Sequence, residues 1–291
     1  MKFSILEPTT ILEAVELLDR DGEQIRILAG GTDLLVKLKT GVAKPPLIMS
    51  LQKIKDFISI EYAQNQGLRI GPLVTHAEIA AHPEIKSRYA ALATACSLVG
   101  SPQIRNLGTL AGNVANASPA ADTAPALLIF GAELVVRGVD GIKRIGISEF
   151  YQGPGQTALR HTDMIEEIFI PEPSPATKSV YLKLGRRKAM EIAVCGVAMA
   201  AAPRHDKWIN ARLALGAVAP TPVLAVKAGS ILENQIWLDP VVAEGIEAAQ
   251  AVCSPIDDQR ASANYRRLMV EVLVKRAIAN LCLQREEGEN A

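Results

Sequence analysis

The chain has 291 residues, enough for about two domains with a sizeable core. Hydrophobic residues make up 49% and charged residues 21%, the balance of a soluble globular protein. Lys+Arg and Asp+Glu both number 31 and aromatics are only 4%, so neither a basic surface nor base-stacking aromatics point to nucleic acid.

The opening "MKFSILEPTT" reads as carrying no signal peptide, because its apolar run is short and Glu7 interrupts it. Thr9 or Thr10 is placed to cap a helix with apolar positions Ile11, Ala14, Val15 and Leu18, and Gly22 follows as a stop. "IRILA" reads as a buried strand ending on Gly30-Gly31. "DLLVKLKTG" reads as a short helix closed by Gly41, and "PLIMSL" as a second strand. These residues form a small α/β unit. A second segment begins near Ile58. "GLRIGPLVTHAEIAAHP" passes from strand to helix, with Thr75 and Glu78 forming a capping box. "YAALATACSLVG" reads as a tightly packed helix. The stretch from Ser101 onward, "SPQIRNLGTLAGNVANASPAAD", reads as a long, apolar, glycine-rich loop of the kind that is seldom a mere connector. Two strand-like runs flank Asp140-Gly141 as a hairpin, and "MIEEIFIP" is a further strand. "PEPSPATK" is the best linker candidate. Three strand-like runs follow, "SVYLKLG", "EIAVCGVAMAA" and "WINARLALGAV". Two helical patterns come after them, then a tail, "REEGENA", read as frayed. Strands first and helices after suggest an α+β unit with an antiparallel sheet.

The longest apolar run, "IAVCGVAMAAAP", falls short of the roughly 18 residues of a membrane span. Cys96, Cys195, Cys253 and Cys282 lie far apart with no C-x-x-C, and the four histidines make no metal-binding pattern. Reduced thiols in a cytoplasmic protein are the simplest reading.

Three constellations could carry chemistry. Gly30 and Gly31 can take positive φ and turn successive N–H groups into one concavity, with Thr32 adding a hydroxyl and Asp33 able to cap the next helix. The same glycines also suit a plain strand-to-helix turn. "TLAGN", from Thr109 to Asn113, offers a second hydroxyl, a glycine and an amide, extended by Ser118 and Asp122. Asp122 suits equally the N-cap of "TAPALLIF" and a ligand contact. Lys183 lies on a strand-like run, and Arg186, Arg187 and Lys188 after it form a basic knot, read as a solvated turn, a contact to an anionic cofactor or a docking point for a partner. "GPGQTA" matches the loose G-x-G-x-x-A pattern but lacks the strand–turn–helix context of a Rossmann loop.

Taken together, "RILAGGTDLL", "IRNLGTLAGNVANASPAADTAPALLIFGAEL", "MIEEIFIP" and "YLKLGRRKAMEIAV" resemble, in order and spacing, the FAD-binding medium subunit of molybdenum hydroxylases of the carbon monoxide dehydrogenase and xanthine dehydrogenase type. The resemblance covers nearly the whole chain. It implies an α+β protein: a two-part FAD-binding domain (1–57 and 58–176), then a C-terminal domain (177–286) with a three-stranded antiparallel sheet and helices. It implies that Ile27, Leu28, Ala29, Gly30, Gly31, Thr32, Asp33 and Leu34 wrap the FAD pyrophosphate. Thr109, Leu110, Ala111, Gly112 and Asn113 would be the second FAD loop, with polar contacts from Ser118 and Asp122. Ile165 would pack on the flavin and Lys183 would lie near its rings. Relatives often carry glycine where this chain has Ala111, which is harmless only if that residue needs no positive φ.

The resemblance further implies an oxidoreductase subunit that hands electrons from two [2Fe-2S] clusters of a small subunit through FAD to NAD, a quinone or another acceptor. A large molybdopterin subunit would oxidise the substrate, in a dimer of heterotrimers. The scattered cysteines fit that division of labour and argue against a branch whose medium subunit carries its own cluster. The alternatives are a stand-alone FAD oxidase and a flavin-free scaffold.

Overall fold

The computed structural model describes residues 2–187 and 189–289, without side chains for 286–289. The N-terminal unit comprises β1 (Ser4–Leu6), α1 (Ile11–Asp21), β2 (Ile25–Leu28), α2 (Leu34–Lys39) and β3 (Leu47–Ser50). Thr10 is the residue that caps α1, its hydroxyl accepting from the Glu13 N–H at 3.2 Å. The three strands are parallel in the order β1-β3-β2, so β1, too short to register as a pattern, completes the sheet. Ala14, Val15 and Leu18 of α1 pack with Ile25 and Met49 of that sheet, and with Phe57, Leu73 and Met164 from farther along the chain. This core fixes the N-terminal unit against the next one.

After a 3-10 turn (Lys55–Phe57) come β4 (Ile60–Ala63), β5 (Gly67–Ile70), α3 (His76–Ala81), α4 (Pro83–Arg88) and α5 (Ala90–Ser97). The Thr75–Glu78 capping box is formed in full. The stretch read as one long loop holds two helices, α6 (Pro102–Arg105) and α7 (Leu110–Asn116), and the "TAPALLIF" run forms α8 (Thr123–Phe130). Glycines and small residues weaken helix propensity, but side-chain caps start two of these helices, from Ser101 and Thr109. β6 (Glu133–Gly138), β7 (Gly141–Gly146), α9 (Ile147–Phe150), β8 (Tyr151–Gly153), β9 (Gln156–Thr157) and β10 (Met164–Pro171) follow. The middle sheet is antiparallel, in the order β4-β5-β10-β6-β7. "GPGQTA" is the turn of the small β8–β9 hairpin.

The C-terminal part holds β11 (Lys178–Leu184), β12 (Cys195–Arg204), β13 (Lys207–Gly216), β14 (Val223–Leu224), α10 (Val226–Leu232), α11 (Asp239–Ala251) and α12 (Ala263–Glu289). Its sheet has four antiparallel strands rather than the expected three, because two-residue β14 pairs with β13. β12 is covered on both faces, which explains its unbroken apolar run. Val197, Met199 and Ala201 meet α10–α12, while Ala198 and Ala200 face the middle unit. α8 is buried on every side. Small residues let it approach the sheet: a Cβ on Gly216 would stand 2.9 Å from Pro125 Cγ. α12 continues through the tail read as frayed to Glu289; Asn290 and Ala291 lie outside the described residues.

Candidate functional site

Only residues 29–33 connect β2 to α2. Gly31 takes φ +75°, a conformation that costs any side-chain-bearing residue. Gly30 does not, and its reason for being glycine is different. A Cβ there would lie 1.9 Å from the carbonyl oxygen of Leu107 and 2.9 Å from Gly108 Cα. The backbone before α7 therefore passes directly against Gly30. The N–H groups of Gly31, Thr32, Asp33 and Leu34 meet no acceptor among the described residues, while Leu35 and Lys37 donate back to Gly31 and Asp33 to begin the helix. Asp33 does not cap α2. Its backbone is already helical, and its carboxylate instead accepts from Asn116 Nδ2 at 3.2 Å.

The second segment is built to meet the first. Thr109 caps α7, accepting from the Gly112 N–H at 3.0 Å. Gly108 O accepts from the His76 N–H and Leu110 donates to Val74 O, which ties the start of α7 to the start of α3. Gly108 lies under Thr32 and His76: a Cβ on it would sit 3.3 Å from Thr32 Oγ1 and 3.4 Å from His76 Cδ2. Thr109 to Asn113 is thus a helix start rather than a loop. Ala111 has no positive φ, so its methyl is accommodated within the first turn of α7.

Between the two segments is a cleft of about 300 Å³, to which β10 contributes Met164 and Ile165. Burial, with help from Arg105, holds His76 down at a pKa of about 4, so the imidazole is neutral at pH 7. Its Nδ1 is buried with no hydrogen-bond partner among the described residues. Arg26 and Lys37 also line the cleft. Arg26 donates to the carbonyls of Ile25 and Glu23, and Lys37 donates to Asn116 Oδ1 at 2.7 Å. Backbone donors, close-packed glycines and two cations engaged only by neutral groups suit a ligand carrying a diphosphate. A larger cleft, of about 650 Å³, lies between α8, β13 and α10.

The profile of the FAD binding domain in molybdopterin dehydrogenase matches residues 1–173. That of the CO dehydrogenase flavoprotein C-terminal domain matches residues 180–281. The chain belongs to this flavoprotein family. It is 30% identical over 276 residues to the carbon monoxide dehydrogenase medium chain of Afipia carboxidovorans, covering 95% of each chain. It is also 30% identical over 272 residues to a putative xanthine dehydrogenase FAD-binding subunit of Escherichia coli K12, covering 93% of this chain and 92% of that one. The fold matches a carbon monoxide dehydrogenase structure from Hydrogenophaga pseudoflava with a TM-score of 0.92 at 29% identity, covering 96% of each chain. The protein is an oxidoreductase subunit, and FAD is its cofactor.

Ile27, Ala29, Gly30, Gly31, Thr32, Asp33, Leu34, Thr109, Ala111, Gly112, Asn113 and Ile165 of this flavin subunit line the cleft. Five residues singled out in the sequence do not. Leu28 ends β2, and Leu110 is buried in the middle core. Ser118 Oγ accepts from the Ala120 N–H. Asp122 and Lys183 form an ion pair of 2.7 Å, only 8% and 9% exposed. Tyr181 donates to the same carboxylate at 2.8 Å. Burial lifts the Asp122 carboxyl above the usual range, against the opposing pull of Lys183. The carboxylate is therefore occupied and does not cap α8. Lys183 also donates to Leu98 O at 3.1 Å, next to Val99, which does line the cleft. In the basic knot, Arg186 donates to Gln259 O and Arg187 pairs with Glu191; Lys188 lies outside the described residues.

Sequence reading missed His76, Val99, Ile104, Asn116 and the two cations. Arg26 lies in the quoted "RILAGGTDLL" and Lys37 in "DLLVKLKTG", and both carried a signal: positive charge flanking a glycine segment with no lysine or arginine of its own. Asn116 lies one turn along α7 from Asn113, within the quoted motif, whereas His76, Val99 and Ile104 reach the cleft only through tertiary packing.

Proposed function

We propose that this subunit passes electrons from [2Fe-2S] clusters of a small partner subunit, through FAD in the cleft between β2–α2 and α7, to an external acceptor such as NAD or a quinone. A large molybdopterin subunit would oxidise the substrate, and the assembly would be a dimer of heterotrimers. The relatives named as medium chains support partners of this kind. The observation that carries the placement of FAD is the contact of Gly30 with Leu107 and Gly108, which brings two distant glycine segments onto one cleft. Units of 1–57, 58–176 and 177–286 are the boundaries we assign.

FAD supplies the ability to take up electrons singly and release them as a pair. The chain binds and orients it. The free N–H groups of Gly31 to Leu34 donate to the diphosphate, and Ile165 gives the flavin an apolar surface. The neutral imidazole of His76 adds no charge beside it. Ser118, Asp122 and Lys183 act from behind the wall, with Lys183 fixing Leu98 and hence Val99. Burial pushes the thiols up, Cys195 to about 12 and Cys253 to about 11.

The test is the absorption spectrum of the purified chain and of Gly31→Val. Wild type should release FAD on denaturation. The valine variant should lose it, because a β-branched residue resists φ +75°. Full FAD occupancy in Gly31→Val would remove the cleft from consideration.

A further inference from the structure

Lys37 stands on α2, one turn beyond Asp33, and reaches across to α7. Its ammonium donates to Asn116 Oδ1 at 2.7 Å. The same amide donates from Nδ2 to Asp33 Oδ1 at 3.2 Å. Asn116 is thus turned between the two charges and takes up each with the end that suits it. Among the described residues Lys37 forms no ion pair, and its ammonium has two further hydrogens to offer. Lys37, Asn116 and Asp33 all line the cleft.

The charge balance there matters. The glycine segments themselves, 27–34 and 109–113, contain no lysine or arginine, and their one charged residue is Asp33. With His76 neutral, Arg26 and Lys37 outweigh Asp33 and leave the cleft positive in a chain of net charge zero. Arg26 spends part of its guanidinium on the carbonyls of Ile25 and Glu23. Lys37 is the cation held between the two segments by a neutral group.

We infer that Lys37 is a further cofactor-binding residue, its ammonium held by Asn116 to offset the charge of the FAD diphosphate. This rests on the assignment of the cleft to FAD. A neutral amide is the right holder, since a carboxylate at 116 would neutralise the lysine and repel the ligand.

The test is fluorescence titration of FAD into the full chain freed of flavin, at a series of KCl concentrations, with ADP as competitor. Lys37→Gln should weaken FAD and ADP by the same factor, about tenfold, the scale of one charge-assisted contact. It should also flatten the salt dependence, because one screened attraction is gone. Lys37→Arg should restore most of the affinity, and Asn116→Asp should fall to the level of Lys37→Gln or below. Position 37 is exposed and residue 116 half-buried, and melting of each flavin-free variant registers any loss of fold. Wild-type affinity and salt slope in Lys37→Gln would overturn the proposal. If Gly31→Val loses FAD while Lys37→Gln does not, the cleft stands and the role of Lys37 falls. If Gly31→Val binds normally, the cleft assignment itself fails.

Discussion

Gly30 and Gly31 are neighbours, yet the structure asks different things of them, and two alanine substitutions separate the two demands. In Gly30→Ala the new Cβ would start 1.9 Å from Leu107 O and 2.7 Å from the carbon of that carbonyl. Comfortable contacts between heavy atoms are about 3.5 Å, so the two segments must part by more than about 1 Å. The obstacle is backbone, which cannot turn aside as a side chain can. Overpacking of this kind costs about 2–3 kcal/mol, a factor of roughly 30 to 150 in FAD affinity if it falls wholly on the closed arrangement. In Gly31→Ala the Cβ meets only side chains, Leu28 Cδ1 and Leu35 Cδ1, each at 3.0 Å. There the main cost is the left-handed backbone, about 1–2 kcal/mol. Gly30→Ala should therefore bind FAD more weakly than Gly31→Ala. The assay is FAD titration of each variant, with melting of the flavin-free chain to register any loss of fold. Wild-type FAD affinity and melting temperature in Gly30→Ala would refute the packing of the two segments, and the reverse ranking would refute the division of roles.

His76 makes stability depend on acid. Its folded pKa of about 4 lies below the usual 6.5, so the unfolded chain takes up a proton first. Stability present above pH 6.5 is lost as pH falls toward 4, by roughly 3 kcal/mol over that window. His76→Gln should shrink that loss in urea unfolding at pH 7.5 and pH 4.5; an unchanged loss would assign it to other groups. Lys183→Met leaves the Asp122 carboxylate buried with Tyr181 as its remaining partner, and should cost about 3–5 kcal/mol. Adding Asp122→Asn should recover part of that in the same unfolding measurement, and purely additive losses would contradict the pairing. Ala111→Gly should lower stability by about 0.5–1 kcal/mol, the usual helix penalty, with FAD affinity unchanged. A tighter FAD complex would mean that residue 111 wants glycine after all.

What was legible in the sequence is what depends on near neighbours. The Thr75–Glu78 capping box is closed within four residues, and it forms as read. The positive φ of Gly31 follows from a turn that has only residues 29–33 to work with. The need for Gly30 was invisible because Leu107 lies far along the chain. Asp122 and Lys183 were each singled out, but nothing local says that they pair: β11 and α8 must first pack. α7 read as loop because Gly112 lies in its first turn, whereas Thr109 outweighs it by capping. β1 escaped because three residues make no pattern, and it forms by extending the sheet along β3.

The three parts of the chain converge on the wall of one cleft. The N-terminal unit enters through Gly30 and Asp33, the middle unit through Gly108 and α7. The C-terminal sheet touches the same wall indirectly. Lys183 of β11 donates to Leu98 O, and the N–H of Met190, in the turn after β11, donates to Gly100 O. Those two bonds bracket Val99, which lines the cleft. A shift of the C-terminal sheet against α5 and α8 must therefore move the cleft wall, and a ligand pressing on Val99 must be felt at Lys183. The buried Asp122–Lys183–Tyr181 cluster makes this link stiff, since its charges tolerate little change of distance. The packing of the C-terminal sheet and the shape of the cleft wall thus share one short polar connection, which runs through Lys183.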